Sequence, residues 1–187
     1  MSQPVLLVID MLNDFFREGL LAERRDELVR SINELVALFR SRNLPVIWIR
    51  QEFAPDLSDA FLVMREHGLA VTITGTDGCE ILPDLDCLPT DPVIVKKRYS
   101  AFFGTNLDEI LASLQPAFVV MAGINTHACV RTTAIDAYQR DYHVVIASDC
   151  VASYDDDYHR DSMRYLGGRT RITTNGEFSR FLGNSDA

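Results

Sequence analysis

Apolar and polar positions along this chain follow two rhythms. Pro4–Ile9 is a nearly continuous apolar run, as expected of a strand buried on both faces. Leu28, Ile32, Leu35, Val36 and Phe39 then recur at helical spacing, which predicts an amphipathic helix over Asp26–Arg42. Asn43-Leu44-Pro45 ends that helix, and Val46–Ile49 reads as a second buried strand. Further strands are expected at Pro92–Val95, Ala117–Ala122, His143–Ala147 and Arg169–Thr173. Helices are expected at Leu107–Leu114, Ala128–Arg140 and Asp155–Leu166. Residues 51–91 are irregular and read as a long excursion with a short helix near Ser58–Glu66, the kind of loop that often carries function. Strands that alternate with helices predict an α/β fold with a parallel sheet covered on both faces.

In such folds ligands bind beyond the carboxyl ends of the strands. Asp10 ends the first predicted strand, and Lys96 and Lys97 end the third. The loop Gly123–His127 follows the fourth, and Cys129 opens the next helix. An acid, an amine and a thiol can therefore meet at one sheet edge. A thiol in the first turn of a helix feels the positive end of the helix dipole, and a nearby ammonium adds to the effect, so a thiolate is expected. Asp10 could accept the thiol proton, completing a base, nucleophile and electrostatic partner for covalent catalysis. Strand alternation puts Lys96 and Lys97 on opposite faces, and periodicity alone does not choose between them.

The chain has 187 residues, which suggests one domain spanning 1–187. Apolar residues make up 47% and charged residues 24%, so a disordered or fibrous chain is excluded. Lys+Arg is 18 and Asp+Glu is 27, a formal net charge of −9 that argues against nucleic acid as a partner. No apolar run approaches the roughly 20 residues that span a bilayer, so no membrane partner is expected. The start, MSQPVLLVID, has no basic region and does not read as a signal peptide, so the expected location is cytoplasmic. Cys79, Cys87, Cys129 and Cys150 form no CxxC pair and no zinc knuckle, and reduced thiols are expected.

Three segments together resemble the isochorismatase-like cysteine hydrolases: VIDMLNDF (Val8–Phe15), VKKRYSAFFGT (Val95–Thr105) and GINTHACVRTTAIDA (Gly123–Ala137). That superfamily includes nicotinamidases and N-carbamoylsarcosine amidohydrolases. The resemblance covers nearly the whole chain. It implies a three-layer α/β/α sandwich with a mostly parallel, Rossmann-like central sheet, and a homo-oligomer, dimer or tetramer. It implies Cys129 as nucleophile, Asp10 as general base and Lys96 as third member, because the family's lysine precedes the Tyr of Y-S-A-F by three positions. It also implies a cis peptide at Ile124–Asn125, which turns the Asn125 amide toward the same point as the Cys129 amide to form an oxyanion hole. The expected substrate is a small amide or ureido compound.

Two departures from the family pattern matter. Leu12 stands where the family often has Gln, beside an unchanged Asp10. Many nicotinamidases carry a metal site after the second strand, but Arg50–Asp56 holds no histidine, and His67, His127, His143 and His159 all lie elsewhere. Neither metal nor cofactor is therefore expected. Isochorismate-cleaving members commonly lack the cysteine, so Cys129 argues against that reaction.

Each candidate also has a plainer reading. A lone helix-start cysteine is more often packing than catalysis. Asp14 reads as a strand-end cap and Lys97 as a solvated strand end. Phe15, Phe53, Tyr99, Phe102 and His127 are candidate substrate-binding residues, although aromatics near motifs are often core and a loop histidine is often exposed. Asp155-Asp156-Asp157 suits a helix N-terminus better than a metal. A nucleotide-binding domain is unsupported, since there is no G-x-G-x-x-G and no P-loop motif. The alternative to hydrolysis is a non-catalytic ligand-binding or scaffold protein that keeps the fold.

Overall fold

A computed structural model describes residues 3–184; the outermost residues of the expected 1–187 domain lie outside the described residues. Six strands form one all-parallel sheet: β1 (Val5–Ile9), β2 (Val46–Gln51), β3 (Val93–Lys96), β4 (Val119–Ile124), β5 (Val144–Ala152) and β6 (Arg171–Thr173). Their order is β3-β2-β1-β4-β5-β6, so the chain winds outward in both directions from β1 and β4. That is the doubly wound order, in which the switch point falls between β1 and β4.

The period-2 alternation of the buried strands divides the core into two layers. Leu6, Val8, Trp48, Val120 and Ala122 face one side. There they meet α2 (Arg25–Ser41) and α7 (Asn175–Asn184), the second through Phe178 and Leu182. Val5, Leu7, Ile9, Ile47, Ile49 and Met121 face the other side. Their partners are α4 (Leu107–Leu114), α5 (Arg131–Gln139) and α6 (Asp156–Gly167). The three layers follow directly from this split.

Helix α2 is the clearest case of pattern becoming structure. Leu28, Val29, Ile32, Leu35, Val36 and Phe39 are all buried, each contributing roughly 1.5–3 kcal/mol. Asp26 and Glu27 lie in its first turn and Arg40 in its last, signs that complement the helix dipole. Asn43 then turns the chain at a φ of 54°, just before Pro45. In α6, Asp155 caps the helix by accepting from the Tyr158 amide at 2.9 Å, so the triple-Asp run is a helix start.

The excursion after β2 has its own small core of Phe53, Ala60 and Met64, packed by Leu57, Phe61 and Ile73. The short helix expected in this excursion is α3 (Leu62–His67). Two isolated bridges tie the excursion down, Leu12 antiparallel to Ile81 and Phe53 parallel to Ile73. The expectation for Asp14 needs correcting. Its carboxylate accepts from the Thr72 amide at 2.7 Å, so it fastens the excursion instead of capping a strand. A short helix, α1 (Gly19–Glu23), precedes α2. Among the described residues, no helix is long and apolar enough to cross a membrane.

Candidate functional site

The switch point needs an unusually close approach of two strands. Gly123 has a φ of 108°, and a Cβ there would lie 2.0 Å from the Ile9 carbonyl oxygen. Only glycine lets β4 run this near β1. The consequence is that Asp10, the residue after β1, sits beside the loop that follows β4. Asp10 itself has a φ of 53°. Its amide donates to Ile49 O at 2.9 Å, and its Oδ1 accepts from the Gln51 amide at 2.8 Å. The first bond fixes the Asp10 backbone and the second its carboxylate, both against β2.

Lys96 Nζ lies 2.7 Å from Asp10 Oδ2 and donates to Cys129 Sγ at 3.4 Å. Asp10 is 1% exposed, Lys96 0% and Cys129 4%. Lys96 is on β3, so its side chain passes the end of β2 to reach Asp10. The structure thus brings together the acid, amine and thiol expected from the sequence, and it selects Lys96 over Lys97. Lys97 is not simply solvated. Its Nζ is 2.9 Å from Asp59 and donates to Glu52 O at 2.5 Å, so it fastens the excursion.

The ionisation of the thiol differs from expectation. Burial pushes the Cys129 pKa up, and the Asp10 carboxylate beside it pushes in the same direction. Lys96 opposes both and does not overcome them. The resting sulfur is therefore a thiol beside a carboxylate. Cys129 also lies in a five-residue π turn, Thr126–Val130, that leads into α5, and not in the first turn of an α-helix. For Lys96, burial works against the charged form, but Asp10 and Cys129 outweigh it and raise its pKa. The amine is an ammonium with three donors.

The Ile124–Asn125 peptide is cis. Asn125 Oδ1 accepts from the Tyr154 amide at 3.1 Å, and Asn125 O accepts from the Ala128 and Val130 amides. Thr126 is fully buried, and its Oγ1 is 2.9 Å from His159 Nδ1. Asn125 and Thr126 are thereby gripped from the segment after β5 and from α6. His159 is part of this grip, and Ser153 holds the neighbouring His127, whose amide donates to Ser153 Oγ at 3.3 Å; the sequence reading gave neither residue a role at the site. Ser153 follows a β5 that runs to Ala152, five residues beyond the end expected from hydropathy, because Ser148-Asp149 interrupts the apolar run.

The five candidate substrate-binding residues separate. His127 accepts or donates at Nδ1 with Ser153 Oγ at 3.0 Å, and its ring packs on Tyr154 and Tyr158. Burial lowers its pKa, so it is neutral at pH 7. Tyr99 is half exposed, with its ring 4.7 Å from that of Phe61. Phe15 is partly buried and packs on the α2 side, across the sheet from the core cluster that holds Cys129. Phe53 and Phe102 are buried. Phe53 fills the excursion's core, and Phe102 is buried under the Arg140 guanidinium, so neither offers a free ring face.

Cys79, Cys87 and Cys150 are free thiols away from this cluster. Cys150 bonds Ser31 O and Asn175 Oδ1, a structural role. Among the described residues, no three His, Cys, Asp or Glu side chains come together to hold a metal ion. After β2, Glu52 is paired with Arg50 at 2.7 Å and the next two residues are Phe53 and Ala54, so this donor set does not fit a metal. A buried thiol with a base in contact and a fixed cation beside both can attack an electrophilic carbon.

The chain is similar to known proteins along most of its length. The isochorismatase domain family matches residues 4–177. A protein of Arabidopsis thaliana named "Probable inactive nicotinamidase" is 34% identical over 176 residues, covering 88% of this chain and 90% of that one. The ureidoacrylate amidohydrolase of Cronobacter sakazakii is 28% identical, covering 79% of this chain and 74% of its own. The N-carbamoylsarcosine amidase of Thermoplasma acidophilum superposes with a TM-score of 0.78 at 30% identity, over 92% of this chain and 96% of that one.

Proposed function

The chain belongs to the isochorismatase family, and from that premise we propose that it hydrolyses the C–N bond of a small amide or ureido compound through a thioester on Cys129. The observation that carries this reading is the buried contact chain Asp10–Lys96–Cys129, at 2.7 and 3.4 Å. The sulfur attacks the substrate carbonyl carbon while its proton passes to Asp10. Because the resting thiol is protonated, base and nucleophile act in one step. The amides of Asn125 and Cys129 receive the oxyanion, a role worth roughly 3–4 kcal/mol per donor in such sites. Asp10 then gives the proton to the leaving nitrogen, the C–N bond breaks, and ammonia or an amine departs. Water attacks the thioester, its proton goes to Asp10, and the proton returns to sulfur as the acid leaves. Lys96 stays charged throughout and orients both partners. No metal enters any step.

The reading extends to one hydrolase domain over residues 1–187, acting in the cytoplasm as a homo-oligomer on a small-molecule substrate. It is tested by ammonia release from a panel of amides and ureas. Wild-type protein turns over at least one compound, and Cys129→Ala turns over none while keeping its unfolding midpoint. The name of the Arabidopsis relative favours a second reading, a binding protein that has kept the fold. That reading holds if the panel yields binding by calorimetry, no ammonia, and no alkylation selective for Cys129.

A further inference from the structure

Several buried polar atoms at this edge of the sheet lack a hydrogen bond; those of Asp10, Arg50 and Glu52 belong to side chains held in ion pairs, whereas the Gln51 side chain is neutral and has no such contact. Gln51 is the last residue of β2 and is 6% exposed. Its backbone amide is committed to Asp10 Oδ1, but its side-chain Nε2 is buried without a hydrogen bond. Such a group costs free energy unless something supplies an acceptor, and each instance in a native structure calls for an explanation.

The register says where this amide points. Ile47 and Ile49 belong to the core layer that contains Cys129 and Ile94, while Trp48 belongs to the opposite layer. Alternation along β2 therefore puts Gln51 on the Cys129 face. Gln51 pairs in register with Lys96 on β3, and neighbouring strands lie about 4.8 Å apart. The Gln51 side chain and the Lys96 side chain thus leave the same face of the sheet side by side. Lys96 has three N–H donors; one goes to Cys129, and the ammonium also lies in ion-pair contact with Asp10, which leaves a third donor without a named acceptor. Two neighbouring donors are left over, one neutral and one cationic. Both are buried, and both leave the sheet on the face that carries Cys129.

We propose that Gln51 is a specificity-determining residue that, with the third Lys96 donor, receives a second oxygen acceptor of the substrate, a carbonyl or carboxylate oxygen close to the scissile carbonyl. The inference rests on the hydrolase reading above and narrows its substrate class to amides or ureas that carry such an oxygen. A simple alkyl amide would leave both donors buried and unanswered. A compound with the second oxygen satisfies them, and discrimination then comes from the penalty on the wrong substrate as much as from attraction to the right one.

The test uses three probes of similar size: N-carbamoylglycine, N-carbamoylglycinamide and propylurea, which lacks the second oxygen. Binding is measured by calorimetry on the Cys129→Ala chain, so that no turnover is needed, with and without a further change at Gln51. Gln51→Met keeps the length and removes the donor, and Gln51→Glu keeps the shape and removes it. Both changes are expected to weaken the two acceptor-bearing probes about ten- to hundredfold more than propylurea. Tighter binding of N-carbamoylglycinamide identifies a neutral carbonyl as the natural acceptor; tighter binding of N-carbamoylglycine identifies a carboxylate. Equal weakening of all three probes means that Gln51 only supports the local structure, and no weakening means that it meets a trapped water; either result overturns the proposal. Ammonia release by the wild type is measured in parallel. Its absence across the whole panel of amides and ureas overturns the hydrolase reading, while the calorimetry on the three probes still decides the role of Gln51.

Discussion

Replacing Lys96 by Met would leave the Asp10 carboxylate buried with its charge unanswered. Asp10 is 1% exposed, and its contact with Lys96 is 2.7 Å. Removing one partner of a buried pair typically costs 3–5 kcal/mol, so the Lys96→Met chain is expected to lose roughly that much stability. For a domain of this size each kcal/mol shifts the melting temperature by about 2–4 °C, which gives a drop of roughly 6–20 °C. Asp10→Asn should cost a similar amount, because it strands the ammonium while the Asn side chain can still accept from the Gln51 amide. The double variant buries no charge at all. It should therefore lose less than the sum of the two single losses, by about 2 kcal/mol or more. Urea unfolding of all four chains at pH 7 measures this directly. Losses that add to within about 0.5 kcal/mol would refute the ion pair as described. The pH dependence supplies a second check. The Lys96 pKa is raised above the ordinary 10.5, so its stabilisation is fully present below pH 10.5 and disappears as pH climbs through the raised value. Lys96→Met should flatten that alkaline limb.

Three further outcomes are expected. Because Asp10 pushes the Cys129 thiol up from its ordinary 9.0, Asp10→Asn should make iodoacetamide labelling of Cys129 faster at a given pH even as turnover is lost, and slower labelling would contradict the assignment. Gly123→Ala should destabilise by about 3 kcal/mol or more, read by urea unfolding, since its Cβ would press on backbone 2.0 Å away that cannot rotate aside. Activity should survive exhaustive chelation, because the residues after β2 do not form a metal donor set; loss restored by added metal would count against this.

The parts of the molecule legible in the sequence are those where burial alone decides. The run Val5–Ile9 could only be a central strand, and the stripe on α2 could only be a helix against a sheet. An acid, an amine and a thiol were legible because strand ends in a parallel sheet gather at one edge, but the choice of Lys96 over Lys97 came from the family resemblance and not from the pattern. Gln51 stands at such an end too, and it escaped notice because the apolar run stops at Ile49 while the strand continues. Helix α1 has only five residues, and α7 shows its buried face through Phe178 and Leu182, four apart, a weak periodic signal. The protonation of Cys129 was misjudged for a different reason. Sequence position suggests a helix dipole and a lysine, but it says nothing of the depth of burial or of the nearness of Asp10, and those two effects prevail.

The sealing of Asp10, Lys96 and a protonated Cys129 has an electrostatic corollary. One minus, one plus and a neutral thiol sum to zero, so the reaction centre adds no charge of its own to a molecule whose formal net charge is −9. An arriving solute feels the acidic exterior and little from the centre. A neutral amide approaches unhindered at any ionic strength, whereas an anion is slowed until salt screens the exterior over a distance of about 10 Å at 0.1 M. Salt thus becomes a reporter of substrate charge. A flat dependence of kcat/KM on added salt marks a neutral substrate, and a rate that climbs with salt marks an anionic one.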